Sequence, residues 1–279
     1  MPMLRKLDMG QAWNDAVAML TRNRDVTLIV AAVFFFLPNA ISTVAMPGTA
    51  ELQGQMAAAG EADPEAMMEA LSGFYAEIWW VLLLIALLQA VGMLAMLVLW
   101  TDRSRPTVGQ ALTFAVKALV PLLVAQFLAV LLIVLAVMLP IALGALISGA
   151  VAALLGLAGL VAAIYLWVKF SLTAPVVAIE RTLNPIAILQ QSWRATKGNS
   201  LRIFAFVLLL AVCAIVIMLL VSMLVSIFAL GGEQVGLFAS AIIGSLVNMV
   251  LVLVFVAVIA AIYRQLAGTG AATVRDTFD

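Results

Sequence analysis

Histidine is absent from the 279 residues, and Cys213 is the sole cysteine. Without them the chain has no histidine general base, no Cys/His metal site and no internal disulfide framework. Cys213 lies in the apolar run 201–230, where a small hydrophobe is its expected role and a reactive thiol is not. Charge is scarce as well: 10% of residues carry it, against roughly 25% in a soluble domain. The formal net charge is zero and no basic block is long enough to follow a nucleic-acid backbone, so nucleic acid is excluded as a partner. No Asp or Glu lies near the middle of any long apolar run, which argues against proton-coupled transport through an intramembrane carboxylate.

What the sequence has in excess is apolar surface. Hydrophobic residues make up 66% of the chain, more than one water-soluble core of this size can hide, so lipid must cover much of it. A helix needs about 20 apolar residues to cross the hydrocarbon. Such runs occur at 26–46, 78–100, 118–139, 151–168, 203–229 and 238–263. The uncharged stretch 118–168 is too long for one span, and Pro140, Gly144, Ser148 and Gly149 supply turn chemistry for a hairpin within it. The expectation is an all-α, polytopic membrane protein with six transmembrane helices in a single integral membrane domain over 1–279. The first run follows a long polar stretch containing Asp8, Asp15, Arg22 and Arg24, and so reads as a retained span rather than a cleavable signal.

Charge placement orients these spans. With both termini in the cytoplasm, the outer segments are 47–77, 140–150 and 231–237. They contain Glu51, Glu61, Asp63, Glu65, Glu69, Glu77 and Glu233 but no Lys or Arg, which is the positive-inside pattern. In the first outer segment, Asp63 is placed to cap a short lid helix that starts at Pro64 and ends at Gly73. Its acidic residues and methionines do not establish the converging oxygens of a cation site.

Three inner approaches share a pattern. Residues 11–20, with Trp13, Val17 and Leu20 at helical spacing, 107–117, with Val108, Leu112 and Ala115, and 184–195, with Ile188, Leu189 and Trp193, read as short interfacial elbow helices. Each precedes a pair of spans, so three repeated elbow-hairpin units and a chance likeness of membrane helices are both open readings.

Two residue sets are candidate sites. Lys169, Arg181, Arg194, Lys197, Arg202 and Arg264 form an inner basic girdle that could hold lipid headgroups, with Arg103, Arg105 and Lys117 around the second elbow. Surface anchoring alone also places cations here. Lys169 is expected to snorkel, and Pro175 to kink or end the helix that carries it. Asn39, Gln89, Gln126 and Asn248 are the polar residues at membrane depth, read either as interhelical glue or as the lining of a transport path. Enzymatic chemistry finds no support: Lys169 and Ser171 are two residues apart and do not face each other on one helix.

The segment from Lys169 through Ala174-Pro175-Val176-Val177-Ala178-Ile179-Glu180 carries a resemblance, together with Asn184-Pro185-Ile186-Ala187-Ile188 and Ser192-Trp193-Arg194-Ala195-Thr196-Lys197-Gly198-Asn199. It resembles the bacterial inner-membrane family related to the membrane domain of glycerophosphoryl diester phosphodiesterases, and Thr107-Val108-Gly109-Gln110-Ala111-Leu112 fits the same style. In the fused relatives the phosphodiester chemistry belongs to a separate soluble domain, for which this chain has no room. The resemblance therefore implies the membrane module alone, and the interfacial helices, the basic girdle and the missing intramembrane chemistry lead to the expectation of a non-enzymatic module of the bacterial inner membrane that organises or regulates membrane components. Its expected partners are membrane lipids, anionic ones included, and either further copies of itself or other membrane proteins; no cofactor is expected. A transporter or lipid flippase is the alternative.

Overall fold

The computed structural model describes residues 6–22, 24–46, 64–102, 104 and 106–268, and among them helices form but no strand. Helices α1 (Met9–Arg22), α2 (Arg24–Ala31) and α3 (Leu37–Ala45) come first, with a π turn, Ala32–Phe36, between the last two. The long helices α4 (Pro64–Thr101) and α5 (Val108–Ala145) follow, then α6 (Gly149–Phe170), α7 (Thr173–Glu180) and α8 (Pro185–Ala195). The chain continues through α9 (Ser200–Ala229) and α10 (Glu233–Ala239), a second π turn at Ser240–Gly244, and α11 (Ser245–Leu266). Among the described residues six helical stretches are long and apolar enough to cross a bilayer: Arg24–Ala45, Glu65–Thr101, Val108–Ala145, Gly149–Glu180, Ser200–Ala229 and Gln234–Leu266. Each contains one of the runs expected from composition, apart from a residue or two at its ends. The protein is a multi-pass helical membrane protein.

Several local expectations are corrected. Residues 107–117 are not a separate elbow but the cap and opening turns of α5, which runs unbroken for 38 residues. Thr107 closes a capping box with Gln110, so the helix starts where the elbow was expected but does not stop before the span. The lid helix does not end at Gly73 either: α4 continues through it to Thr101, and Asp63 lies outside the described residues. A lone glycine costs a helix only about 1 kcal/mol, which good helix formers on both sides outweigh. Pro140 sits inside α5, so the hairpin turn falls at 146–148, where the Ser148 hydroxyl accepts the Val151 N–H and starts α6. Finally, the break after Lys169 comes at Ser171 and Leu172, upstream of Pro175, which occupies the first turn of α7, where its missing N–H costs nothing.

The first and third elbows do form separate helices. Asn184 caps α8 by accepting the N–H groups of Ile186 and Ala187, and Pro185 follows at the first helical position. Helix α1 packs Ala12, Ala16 and Met19 against the protein and leaves Trp13 and Val17 exposed.

The described chain divides into two compact units. The first comprises 1–27, 93–214 and 253–279. In it α5 packs on α6, α7 and α8, and α8 also packs on α6 and α7. Its buried residues include Leu94–Val98, the stripe Ala111, Ala115, Ala118 and Leu122, nearly all of α7, and Val256–Tyr263. Glycine makes the α5–α6 hairpin close: a Cβ on Gly159 would lie 2.7 Å from the Ala136 carbonyl oxygen. Small residues of this kind replace hydrophobic driving force in lipid, where contact must come from close packing.

The second unit comprises 28–92 and 215–252. Here α3 packs on the second π turn. The first π turn brings Phe34 and Phe35 onto Gly92 of α4, where a Cβ would meet the Phe34 Cβ at 2.4 Å. The widened π turn and the glycine together make this approach possible.

Candidate functional site

The first unit carries the features with chemical character. After the break at 171–172, α7 descends as an almost fully buried helix and ends at Arg181, whose backbone is left-handed at φ 54°. That conformation is uncommon for a residue with a Cβ. It turns the guanidinium onto the Phe114 ring, 4.1 Å from its centroid, and into an ion pair with Asp102. The Ser104 N–H, donated to the Asp102 carboxylate at 2.8 Å, holds that carboxyl below the usual carboxylate range, helped by the Ser104 hydroxyl and by Arg181 against the opposing effect of burial.

Beside this pair lies an open cleft of about 510 Å³ lined by Thr107, Gly109, Gln110, Thr113, Phe114, Lys117 and Arg181. It presents Lys117, the ion-paired Arg181, the Thr107 and Thr113 side chains and the Gln110 amide over the N-terminal turns of α5; the Thr113 hydroxyl is donated to the Gly109 carbonyl oxygen at 2.8 Å, and the Gln110 N–H to the Thr107 cap. Among the described residues no carboxylate lines it, although Asp102 pairs with Arg181 beside it.

Lys169 stands apart from that cleft. Its side chain does not snorkel free: the residue is 2% exposed, with Nζ 5.2 Å from the Tyr165 centroid and 5.3 Å from that of Trp193. The two rings meet edge to face at 5.9 Å, and Phe170 tilts onto Trp193 at 5.8 Å. Helix α8 is fixed here by the Ser192 hydroxyl, which donates to the Lys169 carbonyl oxygen at 2.7 Å. Among the described residues no carboxylate pairs with the Lys169 ammonium.

A third feature gathers the chain start. The turn after α8 passes through Gly198 at φ 80°, a left-handed position suited to glycine, and presents the buried Asn199. Asn199 Oδ1 accepts the Leu7 N–H at 2.8 Å, and Arg202 donates to the Leu7 carbonyl oxygen at 3.2 Å. Gln265 accepts the Asp8 N–H at 3.1 Å and donates to Gln11 Oε1 at 3.1 Å. Nearby elements are tied in the same manner, by Tyr263 donating to Glu180 at 3.0 Å and Trp100 donating to Thr27 at 3.0 Å.

The basic girdle therefore resolves into different local roles. Arg181 belongs to the cleft, Lys169 to the aromatic frame and Arg202 to the clasp on Leu7. Arg194 and Lys197 are exposed at the end of α8 and in the turn beyond it, and Arg264 is half-buried in the last turn of α11. Arg103 and Arg105 lie outside the described residues. The polar set is divided: Gln126 falls in the first unit, and Asn39, Gln89 and Asn248 fall in the second, all four half-buried. The Asn39 backbone oxygen accepts the hydroxyls of Ser42 and Thr43, a local helix-end arrangement.

Sequence reasoning did not connect Tyr165 and Trp193 with Lys169, nor Phe114 with Arg181. The four-residue spacing of Tyr165 and Lys169 on one helix was the available signal; the contribution of α8 to the frame depends on the tertiary fold.

The family described as Domain of unknown function (DUF7847) matches residues 7–266. No curated protein and no solved structure matches the chain.

Proposed function

The chain belongs to the DUF7847 family, and we propose that it is a non-enzymatic module of the bacterial inner membrane that binds anionic lipid at its cytoplasmic face and organises membrane components there. The cleft lined by Lys117, Arg181, Thr107 and Thr113 supports this reading: it offers the Lys117 cation and the Thr107 hydroxyl next to the Arg181–Asp102 ion pair. The absence of Lys and Arg in the acidic segments 47–77, 140–150 and 231–237 supports the cytoplasmic side for this cleft. The motif likeness to the membrane domain of glycerophosphoryl diester phosphodiesterases fits a module that acts beside lipid chemistry performed by another domain or chain.

The test is the lipid that stays with the purified protein, identified by native mass spectrometry. Phosphatidylglycerol retention should fall about tenfold in K117Q/R181Q, since each charge-assisted contact is worth about 1.5–3 kcal/mol and part of that is recovered from water. Equal retention by wild type and a correctly folded K117Q/R181Q would rule out the cleft as the lipid site.

A further inference from the structure

We propose that Lys169, Tyr165 and Trp193 form a seat for one phosphate group, separate from the cleft at Arg181, and that an anionic phospholipid headgroup fills it.

The argument begins with a buried charge. An ammonium carries three N–H donors and cannot leave water cheaply without a counter-charge or acceptors. At Lys169 the residue is 2% exposed, and the groups found against its Nζ are two aromatic rings. Ring faces attract a cation through their quadrupole, but they supply neither a negative charge nor a conventional acceptor oxygen. The described residues offer it no carboxylate. The frame is half-built: it holds the cation in place and leaves the position of the anion to something else.

Position selects the anion. Lys169 is twenty residues beyond Gly149 at the start of α6. At about 1.5 Å per residue that is about 30 Å, the thickness of the hydrocarbon core, so a helix entering at Gly149 delivers Lys169 to the opposite headgroup layer. Tyr165 and Trp193, 47% and 37% exposed, form the outer walls of the frame, and such rings favour that same layer. In this proposal a lipid phosphate approaches the ammonium from the side of these two exposed rings, and its acyl chains lie on the exposed apolar surface of α6, which includes Leu157, Leu160, Val161 and Ile164. The occupant would bear on α8 as well, because Trp193 and Ser192 of that helix both touch Lys169.

Two measurements test the seat. In the first, the wild-type protein is placed in nanodiscs of phosphatidylglycerol or of phosphatidylcholine and treated with an amine-acetylating reagent, and modification of Lys169 is read by peptide mass spectrometry. Lys169 should be protected about tenfold in the phosphatidylglycerol discs, the effect of one charge-assisted contact. Equal modification in the two discs overturns the proposal, and this readout needs no variant to fold. In the second, phosphatidylglycerol retention is compared in K169M and K169R. Retention should drop in K169M and persist in K169R; a folded K169M that keeps wild-type retention leaves Lys169 as a cation–π tie only. Inorganic phosphate added to the phosphatidylcholine discs separates the sources. Protection by millimolar phosphate would assign the seat to a free phosphate, whereas protection by phosphatidylglycerol alone assigns it to lipid. K117Q/R181Q, measured alongside, reports on the cleft, so either site can fail without the other.

Discussion

Asn199 accepts the backbone N–H of Leu7 at 2.8 Å across 192 residues of sequence, in a buried setting. Removing the side-chain oxygen leaves a buried donor without a partner, which costs about 1–3 kcal/mol. Asn199→Ala should therefore lower the stability of the detergent-solubilised protein by that amount in a denaturant titration. Asn199→Asp, which keeps an acceptor in the same position, should lose less. Equal losses in the two variants would show that the contact matters by shape rather than by hydrogen bonding.

The Asp102–Arg181 pair gives a pH dependence with a defined sign. Asp102 has its folded-state pKa lowered, so its contribution to stability is fully present above the ordinary carboxylate range and is lost as pH falls through the lower folded value. Between neutral pH and about pH 5 this group should leave stability unchanged, because it is ionised in both states. Carbon-13 carboxyl titration should show Arg181→Gln raising the Asp102 pKa only part of the way to its ordinary value, since the Ser104 N–H remains and is the largest cause of the shift. Both side chains keep solvent contact, so a double-mutant cycle should return about 0.2–1 kcal/mol.

Two glycines should respond in opposite directions. Gly159→Ala places a methyl 2.7 Å from the Ala136 carbonyl oxygen, which forces α5 and α6 apart and should destabilise the protein by about 1–3 kcal/mol. Gly73→Ala meets nothing within 4 Å on the exposed face of α4 and should stabilise that helix by about 0.5–1 kcal/mol. Unfolding curves of the two variants in one detergent make the comparison.

The features legible in the sequence were those written by composition and by local capping. Long uncharged runs gave the six crossings, and Asn184-Pro185 marked the start of α8 correctly. Helix continuity was harder to read, because Gly73 and the polar turns before Lys117 look like punctuation but are outweighed by helix-forming neighbours. The π turns at Ala32–Phe36 and Ser240–Gly244 leave no mark in a period-based reading, since each adds one residue to a turn without changing the apolar content. At the candidate site, residue type identified Lys169 and Arg181 as cations of interest. Their surroundings come from α5 and α8, which are distant in sequence or separated by a break, so Phe114 and Trp193 could not be assigned to them in advance.

The clasp on the chain start also sets an order of events during synthesis. Leu7 and Asp8 leave the ribosome long before the residues that hold them: Asn199 and Arg202 follow the fourth crossing, and Gln265 comes at the end of the sixth. The two hydrogen bonds to Leu7 can form once the fifth helix begins, whereas those of Asp8 and Gln11 wait for Gln265. The clasp is therefore completed in two stages, the second of them only when the sixth helix has been made.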